Sequence, residues 1–165
     1  MASREASGPA TLSVLDRLID QDPKRSVEAP MTRAQSVREM KAALRRDLEW
    51  LLNTRQSIDP APPAARETAR SVYNYGLADI SSRSLLSDKD HKDLAREMET
   101  ALVLFEPRLK RPRVSMEVLD RGYRALHFAI EGLLCMDPAP EPVRFDTLLE
   151  IGKGEYEVKG EDGAR

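Results

Sequence analysis

Apolar residues along this chain keep two different rhythms, a helical one first and an alternating one later. Leu12, Leu15, Leu18 and Ile19 recur at helical spacing and predict a short helix that stops near Asp22-Pro23. Residues 23–33, which carry Pro23 and Pro30, read as a loop. Ser36 and Glu39 have the spacing of a capping box, and Val37, Met40, Leu44, Leu48, Leu51 and Leu52 follow as one stripe. Arg38, Lys41, Arg45 and Glu49 fall mainly off that stripe, so the pattern predicts a long amphipathic helix.

The prolines of residues 57–64 break the pattern, because each removes a helical donor. A shorter helix is expected over 65–73, with Gly76 closing it in a left-handed conformation. A further helix is expected after Ser87, with Asp90 in a weak capping box. Leu94, Met98, Ala101, Leu102 and Phe105 form its apolar face, and Pro107 ends it.

From here the period falls to two. Val114, Met116 and Val118 alternate with polar residues, as do Leu126, Phe128 and Ile130, then Val143 and Phe145, then Tyr156 and Val158. Asp120-Arg121-Gly122 and Gly152-Lys153-Gly154 read as hairpin turns. Helices first and strands afterwards predict an α+β fold, with N-terminal helices packed on a small, mostly antiparallel C-terminal sheet. Residues 1–10 are expected to be disordered, 11–158 to form a single domain, and 159–165 to be a disordered tail.

Composition narrows the function. Charged residues make up 33% of 165 positions but cancel to a net charge of −2, so no global field draws the chain to nucleic acid or anionic lipid. The single cysteine, Cys135, allows no intrachain disulfide and suits a reducing compartment. The N-terminal residues lack the basic start and apolar run of a secretory signal, and no stretch approaches a membrane span. A soluble cytoplasmic protein without membrane insertion is expected.

Candidate chemistry centres on Phe105-Glu106-Pro107-Arg108-Leu109, where a carboxylate sits at a helix break two residues from a guanidinium. One reading makes Glu106 and Arg108 a structural pair that pins the helix–sheet junction, or a corner that a partner recognises. The other makes Glu106 the general acid of a peptidoglycan muramidase. Glycoside hydrolysis needs a second carboxylate, which the sequence does not single out, and aromatics for stacking sugars are only 5% of the chain.

The basic run from Arg108 to Arg113 reads as a solvated loop; no aromatic interleaves it as in a single-strand binder. His91 and His127 have no ligand-spaced neighbour, which argues against a metal, and His127 is expected to face solvent. Cys135 reads as a small packing residue. No phosphate loop or nucleophile elbow is present, so no cofactor is expected.

Three segments together resemble a known family. They are Arg46-Asp47-Leu48-Glu49-Trp50-Leu51-Leu52-Asn53-Thr54-Arg55, Ser71-Val72-Tyr73-Asn74-Tyr75-Gly76-Leu77, and Phe105-Glu106-Pro107-Arg108-Leu109. Following an opening Ser13-Val14-Leu15-Asp16-Arg17-Leu18, they resemble TssE, a baseplate subunit of the bacterial type VI secretion system. TssE is related to the lysozyme-like wedge proteins of contractile phage baseplates. The resemblance runs from about residue 12 to 158; Ala78 departs from it, standing where relatives often place a proline.

The resemblance implies a non-catalytic structural subunit with a sheet similar to the strand-exchanging domain of sheath proteins. It implies wedge partners TssF, TssG and TssK, sheath partners TssB and TssC, and a place in a membrane-docked baseplate on the cytoplasmic side of a Gram-negative bacterium. Glu106, Pro107 and Arg108 would then be an assembly motif that helps nucleate the sheath.

Overall fold

The computed structural model describes residues 12–19, 24, 31–59, 61, 62, 64–79, 87–117, 125–137 and 139–160. The segment expected to be disordered at 1–10 and the turn expected at 120–122 lie outside the described residues, as do residues 161–165.

Helix α1 (Val14–Leu18) is a single capped turn in which the Ser13 hydroxyl accepts from the Asp16 N–H. Helix α2 (Arg33–Asn53) starts earlier than the expected Ser36 cap. Thr32 is the N-cap, and its capping box is closed by Gln35. The same three-residue spacing occurs at both places, but Ser36 is fully buried inside the helix and its hydroxyl donates to the Arg33 carbonyl. The stripe behaves as read: Met40, Leu44, Leu48, Leu51 and Leu52 are buried.

The helix expected over 65–73 is shorter than its pattern. Only α3 (Arg66–Ala69) and one 3-10 turn over Val72–Asn74 form. Gly76 does adopt positive φ, at 108°, directly after Tyr75, the C-cap of the 3-10 turn, rather than at the end of a long helix. It lets the chain pass against the end of α2, where the Leu77 N–H donates to the Thr54 carbonyl and the Gln56 N–H to the Leu77 carbonyl, each at 2.9 Å.

Helix α4 (Asp88–Phe105) starts after Ser87 as expected, without a side-chain cap from that residue. It stops because Pro107 disfavours helical geometry at Glu106, whose φ is −119° and ψ is 77°. A four-residue turn follows, with the Leu109 N–H donating to the Glu106 carbonyl at 3.1 Å and proline in the second place, which its fixed φ suits.

Among the described residues four strands follow: β1 (Leu109–Glu117), β2 (Ala125–Leu134), β3 (Glu141–Glu150) and β4 (Glu155–Gly160). They pair in chain order as an antiparallel meander, so the α+β expectation describes this fold. The basic run is not a loop, for it forms the first half of β1. Between Lys110 and Arg113 that strand spends one residue more than β2 does. This bulge places Arg111 at a φ of 52° and buries Pro112 where a strand tolerates proline. The turn at 152–154 forms as read, with the Gly154 N–H donating to the Glu150 carbonyl at 2.8 Å. Strand β4 continues to Gly160, two residues past the expected end of the domain.

Strand β3 shows the alternation best. Val143, Phe145, Thr147 and Leu149 are buried while their neighbours are not. That face packs with Phe128, Ile130, Tyr156 and Val158 beneath the stripes of α2 and α4 in one core. Burying such a set removes apolar area worth about 25 cal/mol per Å2, the main force holding helices to sheet.

Candidate functional site: a charged corner between helix and sheet

The turn leaving α4 brings Glu106 and Arg108 together. Glu106 is 5% exposed, and both of its carboxylate oxygens accept from Arg108, one from Nε and one from Nη2, each at 2.7 Å. This two-point geometry is the strong form of a carboxylate–guanidinium contact. Pro107, between them, is exposed.

The pair does not stand alone. Arg108 Nη2 also donates to Asp47 Oδ2 at 2.6 Å, reaching from the corner to the middle of α2. Asp47 Oδ1 accepts from Arg46 Nε at 2.9 Å, and Arg46 Nη2 donates to Asp16 Oδ1 at 2.9 Å. Three carboxylates and two guanidiniums thus run in alternation from the helix–sheet corner to α1.

The hydrogen bonds and charge of Glu106 and Asp47 hold the Arg108 guanidinium well above its ordinary pKa, against the opposing effect of burial. Asp47 does the same for Arg46. The Ser13 hydrogen bond, followed by Arg46, holds the Asp16 carboxyl below the usual value. Burial raises the Tyr75 phenol, and Asp47 and Glu106 add to the shift.

A cleft of about 290 Å3 opens over the corner, lined by Asp47, Leu51, Tyr75, Phe105 and the Glu106–Arg108 turn. The Tyr75 and Phe105 rings meet edge to face, 5.2 Å apart at 70°. The three sequence segments that carry the resemblance therefore converge here: Arg46 and Asp47 from the first, Tyr75 from the second, Phe105 to Arg108 from the third.

Sequence reasoning found Glu106, Pro107 and Arg108 but missed Asp47, Arg46, Asp16 and Tyr75 as their company. A signal existed for Asp47. It falls three residues after Leu44 and four before Leu51, on the edge of the apolar stripe, where a carboxylate requires a partner.

Other candidates fall elsewhere. His91 is buried in the first turn of α4, and His127 lies on the face of β2 opposite Phe128 and Ile130, as expected, but is half-buried rather than fully exposed. Cys135 is exposed just past β2, which corrects its reading as a packing residue; its backbone N–H donates to the Arg108 carbonyl at 2.7 Å. Trp50 is 57% exposed, with the Arg46 guanidinium 5.3 Å from its ring centre. Among the described residues, no group of three or more His, Cys, Asp or Glu side chains could hold a metal, and no helix is long and apolar enough to cross a membrane.

Two long helices pack on a four-stranded meander with a partly buried charge network at their joint, and comparison with known families gives the class to which this arrangement belongs. The chain belongs to the family described as baseplate wedge protein gp25, whose profile matches residues 38–139, more than half of the chain. The match runs from residue 38, inside α2, through the corner, β1 and β2, and so takes in Asp47, Glu106 and Arg108. Neither the curated proteins nor the solved structures yield a match. The family is one of structural baseplate proteins, and membership implies contact with other baseplate components.

Proposed function

We propose that this subunit serves the baseplate of a type VI secretion system. There it joins the wedge proteins TssF, TssG and TssK to the first sheath subunits, TssB and TssC, on the cytoplasmic side of a Gram-negative cell envelope. Glu106, Pro107 and Arg108 are its assembly motif. The observation that carries this reading is the convergence of the three TssE-like segments on one charged corner, within a chain of the baseplate wedge family. Glu106 and Arg108 fix the direction in which β1 leaves α4, and exposed Pro107 presents that corner to a partner.

A non-catalytic role is supported by the same bonds. Both oxygens of Glu106 are taken by Arg108, and Asp47 is shared between Arg108 and Arg46. A muramidase needs one carboxyl that can hand a proton to the glycosidic oxygen and a second that faces the sugar. Neither carboxylate is disposed for that work.

The test is affinity purification of the tagged chain from its native cytoplasm, with mass spectrometry of the co-purifying proteins. Wild type is expected to recover wedge and sheath proteins. Glu106→Ala, checked for folding by circular dichroism, and Pro107→Ala, which breaks no bond of the network, are expected to lose them. Recovery unaffected by both substitutions overturns the assembly role of the corner. Absence of any secretion component with wild type overturns the assignment to this machine.

A further inference from the structure

Helix side chains already engage the backbone of both outer strands of the sheet. On β4, Asn53 of α2 bonds the Tyr156 N–H and carbonyl, each at 2.8 Å, and Arg45 Nη1 donates to the Val158 carbonyl at 3.1 Å. On β1, Glu99 of α4 accepts from the Val114 N–H at 2.9 Å. The cleft over the charged corner is open instead, with exposed Pro107 in its lining.

Size, charge and walls together fix what that cleft can take. Its volume of about 290 Å3 lies just under the range of about 300–1,000 Å3 usual for small-molecule sites, so it suits a single side chain. Two carboxylates, Asp47 and Glu106, and one guanidinium, Arg108, line it, which leaves one negative charge over. Following the network outward does not cancel that charge, because Arg46 brings Asp16 with it. The Tyr75 phenol senses the excess: beyond the effect of burial, Asp47 and Glu106 both raise its pKa.

The Asp47 side chain is 24% exposed, and its Oδ2 accepts one hydrogen bond, from Arg108, where a carboxylate oxygen can accept two. Beside it stand the half-buried rings of Tyr75 and Phe105, and an aromatic face attracts a cation. Leu51 adds an apolar surface on which an aliphatic stem can lie.

We propose that the corner cleft seats one basic side chain, lysine or arginine, from a baseplate partner, with its head on Asp47 and its stem against Leu51 and the Tyr75–Phe105 pair. The proposal rests on the reading of this corner as an assembly motif and gives the chemistry of what the motif receives. A seated cation completes the charge balance of the network, which an apolar side chain leaves unchanged. An acidic side chain at the same place meets two carboxylates and is rejected.

The test titrates the folded, isotope-labelled chain with n-butylammonium, n-butylguanidinium and n-butanol, followed through the amide signals by NMR. At least one of the two cations is expected to shift Asp47, Leu51, Tyr75 and Phe105 with half-saturation at millimolar concentration. The tighter of the two tells lysine from arginine. Neutral n-butanol is expected to bind about tenfold more weakly. Asp47→Asn removes the surplus charge but keeps an acceptor, and it is expected to weaken cation binding by about tenfold. Tyr75→Leu removes an aromatic wall, and about threefold is expected. Equal binding of n-butanol, or cation binding that neither substitution alters, overturns the proposal.

In affinity purification of the tagged chain, both variants are expected to recover about fivefold less wedge protein than wild type. Recovery unaltered by both, while Glu106→Ala and Pro107→Ala lose it, overturns the cleft as a partner's seat and leaves the assembly motif intact. Recovery unaffected by any of the four overturns the reading of the corner itself, and this proposal with it.

Discussion

Arg108 Nη2 lies 2.6 Å from Asp47 Oδ2, although 61 residues separate them in the chain. The contact makes one guanidinium the joint between α2 and the start of the sheet, and it fixes how substitutions there combine. Arg108→Met leaves Glu106 buried beside nothing that neutralises it. A loss of roughly 3 kcal/mol in unfolding free energy is expected. Asp47→Asn keeps a hydrogen-bond acceptor for Arg108 and leaves the Glu106 pair whole, so about 1 kcal/mol is expected. Urea denaturation of both single variants and the double variant measures the coupling. Strict additivity would mean that the two residues do not act as one unit.

Gly76 is the backbone counterpart of that joint. A Cβ at this position would stand 2.2 Å from the Thr54 carbonyl oxygen, and the φ of 108° is one that side chains rarely adopt. Gly76→Ala is therefore expected to lower stability by more than about 2 kcal/mol, visible as a fall in Tm. A melting curve matching wild type would show that the Thr54–Leu77 contact yields easily.

Acid should release α1 before the core. The folded pKa of Asp16 lies below its ordinary 3.8, so its stabilising effect is complete above that value and is lost as pH falls through the lowered one. Protection of the α1 amides, taken relative to the intrinsic exchange rate at each pH, is expected to fall below about pH 4 while α2 stays protected. Asp16→Asn should show fast exchange in α1 already at pH 6. At the alkaline end the sign reverses. The Tyr75 phenol is raised above 10, so its contribution is whole below pH 10 and fades as pH climbs through the raised value.

Thr147 offers a gain. Its side chain is 1% exposed, and its hydroxyl has no hydrogen-bond partner among the described residues. Thr147→Val exchanges that hydroxyl for a methyl of similar size, and a rise of about 1 kcal/mol is expected by chemical denaturation. A loss would show that the hydroxyl is satisfied in solution.

Much of the fold was legible because periodicity reports which side of an element is buried. The stripes of α2 and α4 and the alternation of β3 placed themselves. What failed was local chemistry that occurs more than once: Ser36 and Glu39 have capping spacing, yet Thr32 and Gln35, one turn earlier, do the capping. The helix expected over 65–73 shrank because its apolar positions are few and nothing packs enough of it to offset a costly nucleus. At the site, Glu106 and Arg108 were readable since they are neighbours in sequence. Asp47, Arg46 and Asp16 were not, because only tertiary closure brings them to the same corner.

The Asn53–Tyr156 and Arg45–Val158 contacts span 103 and 113 positions of the chain. Every strand pairing, by contrast, joins neighbours in sequence. Sheet formation is consequently a local event with a small loop-closure cost, while seating α2 on β4 waits for a strand more than a hundred positions downstream. During synthesis the apolar stripe of α2 emerges long before the strand that covers it. Chain growth leaves that helix as a sticky, unfinished surface, and the arrival of β4 ends this interval of risk.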